Sequence, residues 1–78
     1  MFMSFYNTSD FYLATTLVTL GFKLHAIDHP QNGRAEFLFE RVDGLDEVIE
    51  SFWRRSLYVE PALFCTNQKM LKARLYSA

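Results

Sequence analysis

Leu13, Leu17 and Leu20 recur at helical spacing, with Ala14 and Val18 beside them, and predict a first helix. Thr8 or Ser9 is placed to cap its free N–H groups, and Asp10 puts negative charge in the first turn, where the helix dipole favours it. Gly21 stands where a helix stop takes left-handed backbone, and the Schellman geometry that follows predicts contact between Phe22 and Leu17. The period then changes from 3.6 to 2. Phe22, Leu24 and Ala26 alternate with Lys23 and His25, as in a half-buried strand, while Ile27 departs from the simplest alternation. Pro30, Asn32 and Gly33 break this run. Alternation resumes over residues 34–40, with Ala35, Phe37 and Phe39 on one face and Glu36, Leu38 and Glu40 on the other. The two runs predict an antiparallel hairpin.

A helical stripe returns at Leu45, Val48, Ile49, Phe52 and Trp53. Asp43 is its expected cap, Asp46 and Glu47 suit its first turn, and Arg54 and Arg55 suit its last. Leu57 and Val59 alternate with Tyr58, which suggests a short third strand over residues 56–59. Pro61 fits the first position of a final helix, with Glu60 as its cap. Leu63, Phe64, Met70, Leu71 and Leu75 are its expected buried stripe. The reading is a small single α+β domain over residues 1–78. Its order is α-β-β-α-α, with residues 1–6 as an N-terminal extension.

The 78 residues make one small domain, and a chain of this size buries only about 60% of its unfolded surface. Eight Phe, four Tyr and one Trp supply large apolar area, either to the core or to a partner that shares the burial. One cysteine builds neither a disulfide framework nor a zinc site by itself, and it fits a reducing cytoplasm. There is no apolar run of the roughly 18 residues that would signal a membrane span. Residues 1–6 lack the basic start and long apolar run of a signal peptide. The net charge of −1 conceals an asymmetry. Residues 1–53 carry three Lys/Arg against eight Asp/Glu, a balance of −5, and residues 54–78 carry five against one, a balance of +4. Such a split suits contact between the acidic part of one copy and the basic part of another, or an anionic partner at the basic end.

The residues that could carry chemistry are few. His25 and His29 flank Asp28, but residues four apart along a strand are separated by roughly 13 Å, so one metal would require a chain turn at Asp28. Cys65 has no base or oxyanion donor placed by the sequence and reads as a buried, inert thiol. Glu36 and Glu40 read as a solvated strand face. The three glycines are isolated, so no phosphate-cradling loop is present. No cofactor, metal or catalytic constellation is expected.

Several segments together carry a resemblance. They are Tyr6-x-Thr8-Ser9-Asp10-x-Tyr12-Leu13-Ala14, Leu20-Gly21-Phe22-Lys23-Leu24, a Gly33-Arg34 turn, Phe37-x-Phe39-Glu40, Phe52-Trp53, and Leu71-Lys72-x-Arg74-Leu75-Tyr76. In these the chain resembles a family of short bacterial proteins catalogued only as a domain of unknown function. The resemblance covers nearly the whole chain and implies no activity and no site residues.

The resulting expectation is a cytoplasmic, non-enzymatic domain that self-associates, most simply as a dimer, and serves as an interaction or regulatory adaptor for another protein. Leu38, Trp53 and Tyr58 are its candidate interface residues. The alternative is a nucleic-acid-binding accessory protein. Arg54, Arg55, Lys69, Lys72 and Arg74 would then meet DNA or RNA phosphates, Asn67 and Gln68 base edges, and Tyr58 and Tyr76 unpaired bases.

Overall fold

The computed structural model describes residues 4–29 and 33–77. The elements are β1 (Phe5–Thr8), α1 (Phe11–Thr19), β2 (Leu24–Asp28), β3 (Glu36–Glu40), α2 (Leu45–Trp53) and α3 (Pro61–Ser77). The α-β-β-α-α order is therefore present, preceded by a strand that begins inside the segment expected to be an extension. The sheet is antiparallel with order β1-β3-β2. Pro30 and Asn32, read as the turn between β2 and β3, lie outside the described residues.

The cap of α1 is Asp10, not Thr8 or Ser9. Its carboxylate accepts from the Leu13 N–H at 2.9 Å, and Thr8 Oγ1 in turn accepts from the Asp10 N–H. The stop is a full Schellman motif. Gly21 has φ 96, its N–H donates to the Val18 carbonyl, and the Phe22 N–H donates to that of Leu17. Phe22 packs against the core cluster that contains Leu17. Thr15, Thr16 and Thr19 donate their hydroxyls to the carbonyls of Phe11, Tyr12 and Thr15. That is how a helix with buried threonines leaves no hydroxyl unsatisfied.

β2 contains a bulge at His25. Leu24 pairs with Phe39, but Ala26 pairs with Leu38 and Ile27 with Phe37. The extra residue returns Ile27 to the face of Leu24, which explains its departure from strict alternation. Leu24, Ile27, Phe37, Phe39 and Tyr6 all join the core. Leu13, Ala14 and Leu17 of α1, Leu45 of α2 and Leu71 of α3 meet them from the helical side. The molecule measures 36 × 34 × 20 Å, and its thin axis fits one sheet and one layer of helices. The opposite sheet face carries Phe5, Asn7, Ala26, Glu36, Leu38 and Glu40, none of which joins the core cluster. Such one-sided burial is ordinary for antiparallel sheets.

The third strand is β1 rather than residues 56–59. Those residues form no strand, and Leu57 and Val59 are half-buried without a ladder partner. Both line a cavity that also touches Thr16 of α1. β1 instead pairs with β3 in the register Phe5↔Glu40 to Thr8↔Phe37. Arg41 secures that side. Its N–H donates to the Ser4 carbonyl, its guanidinium meets Asp46 of α2 at 2.7 Å, and it lies 5.7 Å from the centre of the Tyr6 ring.

Asp43 does not cap α2. Gly44 occupies the cap position at φ 92 with no side-chain cap bond, while Asp46 and Glu47 fall in the first turn as expected. Arg54 and Arg55 lie just beyond the last turn. α3 is capped by Glu60, whose carboxylate accepts from the Leu63 N–H, with Pro61 as first residue. Its buried stripe is Phe64, Asn67, Gln68, Leu71 and Leu75. Leu63 and Met70 are off that stripe and exposed, and so is Cys65, contrary to the expected buried thiol. A helix touching one neighbour buries one narrow face, and Cys65 is turned about 100° from Phe64.

Candidate functional site

The eight exposed large apolar residues among those described are Tyr12, Leu20, Val42, Trp53, Tyr58, Leu63, Met70 and Tyr76. None lies in the sheet. The surplus apolar surface therefore belongs to the helical layer and its loops. Part of it is organised by one bond, in which Asn67 of α3 donates its side-chain amide to Thr19 Oγ1 of α1 at 3.1 Å. Leu63 and Met70 are the helical neighbours of Asn67 at i−4 and i+3. Leu20 adjoins Thr19. Leu63 (48% exposed) and Met70 (40%) therefore flank Asn67 at the surface of α3, and Leu20 is exposed next to Thr19 on the other side of the bond.

Of the candidate interface residues, Leu38 sits in the central strand on the uncovered sheet face. Trp53 ends α2, set edge-on against Phe52 at 5.0 Å, and Tyr58 stands 91% exposed in the loop to α3. α2 packs on the other sheet face, so Leu38 cannot share a single flat patch with Trp53. Leu38 is also not on a sheet edge; the edges are β1 and β2.

The candidate nucleic-acid contacts divide similarly. Lys69 and Lys72 are exposed on α3, and Tyr76 near its end is 82% exposed. Arg74 is exposed and already engaged in a contact of its own. Arg54 pairs with Glu50 at 3.6 Å. Asn67 and Gln68 lie on the half-buried stripe, with Asn67 committed to Thr19, so they do not present a free recognition edge. Arg55 adopts φ 60, the one positive-φ residue other than glycine among those described.

Arg55 borders a half-open cavity of about 250 Å³, together with Thr16, Phe52, Leu57 and Val59. Periodicity alone hid this cavity. Leu57 and Val59 read as a strand face, nothing in the sequence singled out Thr16, and only the tertiary fold brings them to one cavity. The exposed seam was hidden for a related reason, since Leu63 and Met70 read as core.

His25 rests against the Phe5 ring with centroids 4.6 Å apart, and His29 is exposed. No group of three potential metal ligands occurs among the described residues. Glu40 meets Lys23 at 3.6 Å, and Asp28 lies opposite Glu36, giving the uncovered sheet face an acidic character. No described helix is long and apolar enough to cross a membrane.

No curated protein and no solved structure shows significant similarity to the chain. A family profile matches residues 3–77, the full span of β1 through α3. The chain therefore belongs to the family described as a domain of unknown function, DUF5659.

Proposed function

We propose that this protein is a non-enzymatic interaction module that pairs with a second copy of itself through the α1–α3 seam. The carrying observation is that Leu20 on one side and Leu63 and Met70 on the other stand exposed beside the Asn67–Thr19 bond that joins α3 to α1. A second copy is the favoured occupant because the charges are self-complementary. The basic α3, with Lys69 and Lys72, faces outward from a chain whose first 53 residues are strongly acidic. A two-fold arrangement makes each such contact twice. A cytoplasmic location and an adaptor role for another protein follow as parts of the same proposal.

The test is light-scattering mass on a sizing column, for the natural chain and for Met70→Glu. Met70 is exposed, so the variant keeps its fold, which circular dichroism checks. A natural-chain dimer that becomes monomeric in the variant supports the proposal. A monomeric natural chain, or a dimer indifferent to the substitution, refutes it.

A second reading rests on Lys69, Lys72 and Tyr76, which stand exposed on α3. It is a nucleic-acid accessory protein. A mixed DNA and RNA oligonucleotide pool on the same column tests it. A complex that weakens with salt and is lost on neutralising Lys69, Lys72 and Arg74 supports this alternative, while an unshifted oligonucleotide peak removes it.

A further inference from the structure

We infer that the cavity between α1, the end of α2 and residues 57–59 is a binding site for a small monocarboxylate with an apolar tail. The cavity of about 250 Å³ is bounded by Thr16, Phe52, Arg55, Leu57 and Val59. At roughly 30 Å³ per water, it has room for a ligand of about eight non-hydrogen atoms. Phe52, Leu57 and Val59 offer apolar wall, which suits a short hydrocarbon chain.

The formal charge of the lining has one sign. Arg55 is its only charged side chain, and no carboxylate shares the lining. Thr16 is buried and commits its hydroxyl proton to the Tyr12 carbonyl at 2.8 Å, so it offers a carboxylate no donor and the anion's charged contact falls to Arg55. The nearest carboxylates in sequence are engaged elsewhere. Glu50 pairs with Arg54 at 3.6 Å, and Glu60 caps α3 through the Leu63 N–H. The guanidinium of Arg55 has no ion-pair partner among the described residues. An anion is the group that completes this arrangement, and a carboxylate matches the planar fork of an arginine.

The backbone adds an independent reason. Arg55 occupies the helix stop at φ 60, where glycine is the usual residue. The turn is fixed from the next residue, since the Ser56 N–H and Oγ both donate to the Ser51 carbonyl, at 3.0 and 3.2 Å. Left-handed backbone disfavours a side chain, so an arginine held there points to a use for its guanidinium.

The experiment is an amide-resolved NMR titration of the full chain with sodium hexanoate and, separately, hexan-1-ol, repeated on Arg55→Gly and Leu57→Trp. Arg55→Gly removes the charge and suits the left-handed turn, so the fold is retained. Leu57→Trp fills the cavity and leaves the charge in place. The expected result is saturable hexanoate shifts at Thr16, Phe52, Arg55, Leu57 and Val59, with Kd at or below about 1 mM. Hexanol should bind at least about tenfold more weakly. Arg55→Gly should weaken hexanoate about tenfold with little effect on hexanol, and Leu57→Trp should remove both. The inference is overturned by absent saturation, by shifts confined to Lys69 and Lys72, or by hexanoate and hexanol binding alike.

Discussion

Arg55 and Gly21 solve the same problem with different residues. Each ends a helix by turning left-handed so that its own N–H and the one after it reach back to the last carbonyls. Gly21 does so without steric cost, while Arg55 carries a Cβ that crowds the following carbonyl. Arg55→Gly should therefore leave stability unchanged or raise it by up to about 1 kcal/mol. Arg55→Val, β-branched at the same φ, should cost about 1–2 kcal/mol. Urea unfolding midpoints of the two variants measure the difference. Equal midpoints would show that the turn relaxes and stores no strain. The cap of α1 shows a second feature of single residues. Thr8, Ser9 and Asp10 can all cap, and the choice falls to Asp10 because Thr8 is held in β1 and turns its hydroxyl toward the Asp10 N–H.

Among the elements, β2 is the one whose identity was plain and whose facing was not. Its bulge at His25 sends Ile27 to the core and leaves Leu38, opposite Ala26, on the uncovered face. Ile27→Ala should cost about 1–2 kcal/mol and Leu38→Ala less than about 1 kcal/mol, although both residues are half-buried. Thermal or urea denaturation that ranks them the other way would mean the bulge is misplaced. β1 is a different case. Four residues joined to β3 and held by Arg41 supply the third strand that keeps the hairpin from standing alone, since a two-stranded hairpin is marginal in water.

For the whole molecule, the fully buried apolar set is only Leu13, Ala14, Leu17, Phe37, Phe39, Leu45 and Leu71. Such a core is modest for a chain with 13 aromatic residues, and the remainder of the apolar side chains is left partly exposed on the helical layer. The proposed dimer buries part of that remainder and sets basic α3 against acidic surface. Reversing Lys69 and Lys72 to Glu should lower dimer affinity about tenfold at low salt. Raising salt to about 1 M should shrink the gap between variant and natural chain, because exposed charges are then screened within a few ångströms. Sedimentation equilibrium measures both constants. An affinity untouched by charge reversal would leave the apolar seam without its electrostatic partner.

Local sequence by itself determined the elements whose signals are short-ranged. Leu13 to Gly21 carries a helix and its stop, Phe37 to Glu40 a strand facing two ways, and Glu60-Pro61 a helix start, because backbone preference and side-chain period act within a few residues. Tertiary structure decided everything that depends on which surface meets which. Residues 5–8 became a strand because β3 offered an open edge, whereas residues 56–59 pair with no strand and turn Leu57 and Val59 to a cavity shared with Thr16 of α1. The buried stripe of α3 narrowed to one face because only α1 packs closely on it, which released Leu63, Cys65 and Met70 to the surface. The cavity at Arg55 and the α1–α3 seam join residues about 40 or more positions apart in the chain. Hydrophobic periodicity says that a face is apolar; only packing says whether that face is covered.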